Sequence, residues 1–351
     1  MLRSPIASAK PGISRREFLY TVGAAAVAGS TGCAPPPPEE LPLPPRPSYG
    51  GLDSGAFLNE LTIIRELPGD DVFCEGPAEA PDGRIYFTEM RNNGGRIFRW
   101  DPTRATLETF RENTNAANGL AFDAQGRLLA CEGAANQLTR MNIETGELEV
   151  LANEYGGVPI DPPNDLCLDS EGRIYFSSRP ATGAPSRGNV PAVYRLDPDG
   201  TLVQLLAAPR VHLPNGVAIS PDGGTFFLIE TDRGEGRHRD IRAFDLGSDG
   251  SLSNERVIVN FYPGRSGDGM AIDAEGNLYV AAGIHELREG SETLDTRPGI
   301  HVFSPEGRLL AYRRTPADTI TNCCFGGRGG QTLYVTAGRH FLAARTRIPG
   351  A

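Results

Sequence analysis

The stretch Asn118-Gly119-Leu120-Ala121-Phe122-Asp123-Ala124-Gln125-Gly126-Arg127-Leu128-Leu129 reads as half of a small antiparallel sheet. A polar residue opens it and an apolar run follows. Asp123 to Gly126 supply hairpin-turn chemistry, and a second apolar run returns. The unit recurs five more times. Cys74-Glu75-Gly76-Pro77 leads to Gly83-Arg84-Ile85-Tyr86-Phe87, and Asn164-Asp165-Leu166 leads to Gly172-Arg173-Ile174-Tyr175-Phe176. Asn215-Gly216-Val217-Ala218-Ile219 leads to Phe226-Phe227-Leu228-Ile229. Asp268-Gly269-Met270-Ala271-Ile272 leads to Gly276-Asn277-Leu278-Tyr279-Val280, and Asn322-Cys323-Cys324-Phe325 to Leu333-Tyr334-Val335.

The leading polar residues are separated by 43, 46, 51, 53 and 54 residues. That spacing is the length of a four-stranded propeller blade. Third and fourth runs follow in most units, most clearly Val193-Tyr194-Arg195-Leu196 and Thr201-Leu202-Val203-Gln204-Leu205-Leu206. No stretch between the repeats carries a long 3.6-residue period, which argues against a βαβ fold. The last unit has room for three strands only: one after Asn322, then 332–337 and 341–348. Residues 61–67 precede the first unit without a blade of their own. They are predicted to complete the last blade, which removes two open sheet edges. The fold class is therefore all-β: a six-bladed β-propeller over 59–351, its last blade closed by an N-terminal strand.

The segment before the propeller is of another kind. Ser14-Arg15-Arg16-Glu17-Phe18-Leu19 matches the twin-arginine export motif, and the apolar run after it is too short to span a bilayer. Residues 1–33 read as a signal peptide. Two processing sites stay open: Ala26-Val27-Ala28 for ordinary cleavage, and the lipobox-like Ser30-Thr31-Gly32-Cys33, with Cys33 as the lipidated residue. The second is preferred, because a Pro-rich linker (34–58) follows Cys33 at once. The expected location is the periplasm, soluble or anchored to a membrane through that lipid. The other five cysteines are scattered without CxxC spacing and read as small apolar residues. A net charge of −10 with no basic cluster in the body argues against nucleic acid as a partner.

In a propeller the innermost strand of each blade lines the central channel, so the six leading residues should ring one mouth. They are Glu75, Asn118, Asn164, Asn215, Asp268 and Asn322. Carboxylate and amide oxygens suit a hard cation such as Ca²⁺, whereas zinc or copper would call for His or Cys at this phase. Asn-Gly turns alone account for single asparagines, but they account poorly for Glu75 and Asp268.

These residues carry a resemblance. Glu75-Gly76-Pro77, Ala117-Asn118-Gly119-Leu120, Pro163-Asn164-Asp165, Pro214-Asn215-Gly216 and Asp268-Gly269-Met270 resemble the senescence-marker-protein/gluconolactonase/regucalcin family of six-bladed propellers, in its bacterial gluconolactonase-like branch. The resemblance implies a divalent metal held by Glu75, Asn164, Asn215 and Asp268, with Zn²⁺, Mn²⁺ or Mg²⁺ as substitutes for Ca²⁺. It implies hydrolysis of sugar lactones or related cyclic esters. Asp268 is then the candidate to orient or deprotonate water. Asn118, Asn164 and Asn322 are candidates to contact the substrate. Two positions depart from the family: Pro162 stands where animal members carry Arg, and Ser178-Arg179-Pro180-Ala181-Thr182-Gly183 replaces an Asp-Pro-Pro-Tyr-Gly type loop.

Two other readings stay open: a phosphotriesterase-like hydrolase on a calcium-centred propeller, and a non-enzymatic propeller that binds a partner and keeps calcium for structure. The sequence leaves the oligomeric state undecided. His212 near the mouth reads as a base or as a packed loop residue, and Arg179 reads as a holder of an anionic substrate group or as a surface residue. His285 and His301 flank a polar insertion, 286–297, that reads as a rim or as a solvated loop.

Overall fold

The computed structural model describes residues 41–351 apart from 70, 92, 93, 182, 183, 187 and 289. The twin-arginine motif, both processing sites with Cys33, and the start of the Pro-rich linker lie outside the described residues. Six four-stranded antiparallel sheets follow in chain order. Their innermost strands are Cys74–Glu79, Ala117–Phe122, Pro163–Leu168, Pro214–Ile219, Gly267–Ile272 and Ile320–Gly326. The last sheet takes three strands from the C-terminus, ending with His340–Arg345, and its outermost strand is Thr62–Glu66. The ring is closed by the predicted N-terminal strand.

Burial follows blade geometry. The second strands, such as Ile85–Glu89, Leu128–Glu132 and Leu278–Ala282, are buried at every position, because each is covered on both faces by neighbouring blades. The outermost strand of blade one, Thr106–Glu112, has no neighbour on one side and is largely exposed or half-buried. Six apolar clusters fill the six gaps between consecutive blades. Trp100 sits in the gap between blades one and six, its ring 6.3 Å from that of Phe341, as the closing geometry requires. Burial of these aromatic and branched side chains contributes about 1.5–3 kcal/mol each.

The loops are held by the turn chemistry read in the sequence. Asp123 accepts the amides of Gln125 and Arg127, and Asp273 does the same for Glu275 and Asn277. Ahead of blade one, Tyr49 docks on blade five. Its hydroxyl lies 2.8 Å from His301 Nε2 and accepts the Arg297 amide at 3.1 Å.

One irregularity recurs in all six blades. A register shift interrupts the innermost strand next to the leading residue, between Glu75 and Ala78, Ala117 and Leu120, Pro163 and Leu166, Pro214 and Val217, Gly267 and Met270, and, just before the leading residue in blade six, Ile320 and Asn322. A bulge releases side chains from the ladder and re-aims them. Here it does so at the level of the channel mouth.

Candidate active site

The glycines after the leading residues show how the mouth closes. A Cβ on Gly76 would lie 2.2 Å from the Asn118 carbonyl oxygen, and one on Gly269 would lie 2.0 Å from Asn322 Cγ. Only glycine admits such approach. Gly119 packs in the same way on Asn164 and Asp165, and Gly216 on Asp268. Blade three meets blade four where the Val217 amide acts on Asp165. Thr321 Oγ1 donates to the Cys74 carbonyl at 2.8 Å, which joins blade six to blade one. The six predicted residues therefore follow one another around the channel. All are buried but Asn164, which is half-buried.

Within this ring, three of the four residues expected to hold a metal are tied by contact or charge. Asn215 Nδ2 lies 2.5 Å from Asp268 Oδ1. Glu75 is only 5% exposed, and its carboxylate accepts one long bond, from the Gly76 amide at 3.3 Å. Burial pushes the Glu75 acid well above its ordinary range, and the charges of Asp268 and Asp165 push it further. Two like charges at a dry mouth are the arrangement a cation relieves. Among the described residues no group of three or more His, Cys, Asp or Glu is arranged to hold an ion. The expected set is of another composition, two carboxylates with two amides. Its all-oxygen chemistry, together with the single weak partner of Glu75, fits a hard divalent ion.

Asn322 is already partly engaged. Its Oδ1 accepts the Cys323 amide at 2.8 Å, and its Nδ2 reaches across the channel to Asp165 Oδ2 at 3.5 Å. None of the histidines noted above is bonded to a ring residue. His301 is buried against Tyr49 and Phe303, and burial pulls it down to about 3, so it is neutral. The His212 amide donates to Glu230, and His285 Nε2 faces the Thr315 carbonyl.

Sequence reasoning missed three charged residues at this mouth. Asp165 is buried, and burial raises it to about 7 against the amides of Leu166, Asn322 and Val217. Its signal was present: it stands where blades one, two, four and five have glycine. Arg265 and Glu292 form a buried chain behind Asp268. Arg265 donates to Asp268 Oδ2 at 3.1 Å and to Glu292 Oε1 at 3.0 Å. Glu292 lies in the insertion, which is a packed strap at this point and not a solvated loop. The Thr293 amide donates to the Pro263 carbonyl, and Arg239 donates to carbonyls of Asp232, Arg233, Gly234, Pro263 and Ser291. Arg179, for which the sequence left a substrate-holding and a surface reading open, donates its backbone amide to the Pro162 carbonyl at 3.0 Å. A guanidinium therefore stands across the ladder from position 162.

Behind the mouth, Glu230 is fully buried and accepts the amides of His212 and Leu213. Burial raises it from 4.5 to about 7, although Arg242 opposes the shift. A folded value above the unfolded one means stability that is present below about pH 4.5 and lost as pH rises through about 7. Glu230→Gln is therefore expected to flatten part of the fall in Tm between about pH 5 and pH 8. Thermal melts across that range check it, and an unchanged slope would exclude Glu230 as a source. A groove of about 700 Å³ opens at the outer edge of blade six, lined by Asn59, Thr62, Arg313 and Arg347 among others, and shares no residue with the ring.

Comparison with known proteins bears on the family and the fold. Residues 73–339 match the model of the SMP-30/Gluconolactonase/LRE-like region. The chain is 27% identical to a gluconolactonase of Zymomonas mobilis over 322 residues, 84% of each chain. It is 32% identical to the regucalcin of Danio rerio, over 74% of this chain and 80% of that one. It superposes on a solved gluconolactonase structure from Xanthomonas campestris with a TM-score of 0.70 at 28% identity, covering 86% of this chain and 94% of the other. The relatives are thus bacterial and animal alike.

Proposed function

The chain belongs to the SMP-30/gluconolactonase/LRE-like family, and from that premise we propose that it is a divalent-cation-dependent hydrolase of sugar lactones or related cyclic esters, of the bacterial gluconolactonase kind. One observation carries the reading: Glu75 and Asp268, two buried carboxylates within each other's field, share the channel mouth with the Asn215 amide. Glu75, Asn164, Asn215 and Asp268 would hold the ion, Ca²⁺ first, with Zn²⁺, Mn²⁺ or Mg²⁺ as substitutes. Bound there, such an ion supplies Lewis-acid polarisation of a carbonyl and stabilises the oxyanion that develops.

The other roles fall to the chain. Arg265 holds Asp268 Oδ2 and the Asn215 amide donates to Oδ1; with that amide turned to the ion, Oδ1 would be the oxygen that orients water and takes its proton. The water oxygen bonds to the carbonyl carbon, the ring C–O bond breaks, and the ring oxygen takes a proton. The product is an open-chain hydroxy acid. Asn118 is placed to contact substrate or water from blade two. Asn322 can do so only through Nδ2, because its Oδ1 is engaged by Cys323.

The test is a lactone panel with and without chelator. Hydrolysis should fall at least about a hundredfold on chelation and return with added calcium. Chelator-insensitive hydrolysis would remove the cation from the proposal. Hydrolysis of organophosphate esters without lactones would favour the phosphotriesterase reading, and no hydrolysis of either would favour the binding module.

A further inference from the structure

Most of the buried or half-buried arginines at the mouth end of the blades have a carboxylate partner. Arg96 pairs with Glu89 at 3.1 Å, Arg111 with Glu132 at 2.7 Å, Arg242 with Asp240 at 3.1 Å, and Arg265 with Asp268 and Glu292. Arg179 differs. Among the described residues its Nε is buried without a hydrogen-bond partner, and its one side-chain hydrogen bond is a 3.5 Å approach of a terminal nitrogen to the Pro180 carbonyl. Among the described residues no carboxylate stands within ion-pair distance of it. Its charge nevertheless faces Asp268, Glu75 and Glu230, with Arg265 the opposing cation. Arg179 as a residue is half-buried, and a guanidinium nitrogen kept from water without a partner is costly. Its planar fork is built to take a carboxylate in two parallel bonds.

Arg233 is the other mouth arginine short of a partner. Arg233 lies 3.6 Å from Glu292, too far for a good hydrogen bond, and its Nε is also unpartnered.

We propose that Arg179 receives a carboxylate of the substrate, so that the preferred substrates are lactones bearing a free carboxylate, the monolactones of sugar diacids, rather than neutral aldonolactones. The inference rests on the lactonase reading of the site and names its substrate class. Arg179 is then the specificity-determining residue, held at the level of Asn164 by its backbone bond to Pro162.

The experiment compares kcat/KM for a glucaric acid monolactone and for glucono-δ-lactone, in the wild type, Arg179→Gln and Arg179→Lys. The wild type should favour the acidic lactone. Arg179→Gln should lower the ratio of the two values about tenfold or more, mainly through KM, and Arg179→Lys should restore part of it. An unchanged ratio overturns the inference while leaving the lactonase reading intact. If no lactone is hydrolysed, that reading falls, and calorimetry decides the role of Arg179. Glucarate, titrated at fixed calcium against the uncharged alditol, should bind the wild type more tightly and should lose that advantage in Arg179→Gln. Equal binding of the two in the wild type overturns the inference even if the variant does not fold.

Discussion

Asp268→Asn will lower kcat/KM for lactone hydrolysis about a thousandfold or more, on the order of 4 kcal/mol of transition-state stabilisation. Three functions are lost with one charge. The cation loses one of its two carboxylates, the attacking water loses its proton acceptor, and Arg265 loses one of its two partners. The size of the side chain is kept, so the loss reports chemistry and not packing. Two readouts divide the effect. Loss of the ligand shows as a higher calcium requirement in a titration of activity or of Tm. Loss of the base shows as a fall in kcat that saturating calcium does not restore. Full activity in Asp268→Asn, with calcium present, would remove Asp268 from the chemistry.

The propeller was legible because its signals are local. Alternating apolar runs, Asp-x-x-Gly turns at a fixed offset and a spare strand at 61–67 each lie within a few residues of one another. They map onto four strands per sheet and closure of the last blade by Thr62–Glu66. The ring was legible for a related reason. Glu75, Asn118, Asn164, Asn215, Asp268 and Asn322 share one phase of the repeat, and a bulge recurs at that phase in every blade.

What surrounds the ring was not legible, because it is built from loops of different blades. Arg265 and Glu292 are 27 residues apart, and nothing in either neighbourhood marks a buried pair. Arg179 reads as easily as a surface residue as it does as a substrate holder until the end of the second strand of blade three brings its charge into the field of Asp268 and Glu75. Charged residues are rarely buried, and the default reading of each was exposure. Asp165 is the exception, visible as a break in a run of glycines. The consequence is a division of labour. The repeat sets where chemistry happens, and the irregular loops set what is bound there.

The strap from the fifth blade is where that division is most open to test. Glu292→Ala will destabilise the fold by about 3–5 kcal/mol, because it leaves a buried guanidinium short of a partner. The Glu292 side chain is fully buried and that of Arg265 is 6% exposed, so water cannot take the place of the lost carboxylate without opening the strap. Arg233, 3.6 Å from Glu292 on its other side, loses its nearest anion as well. The activity should fall with the stability. Arg265 would be free to turn wholly onto Asp268, pulling that carboxylate toward itself and away from Asn215. Glu292→Gln, which keeps the shape and one acceptor, should fall between the wild type and Glu292→Ala in both respects. Chemical denaturation measures the first effect, and calcium titration of activity measures the second. A Glu292→Ala protein within about 0.5 kcal/mol of the wild type, where ordinary surface substitutions fall, would mean that the strap only covers the mouth. A destabilised protein with an unchanged calcium requirement would mean that Arg265 supports the fold without setting the position of Asp268.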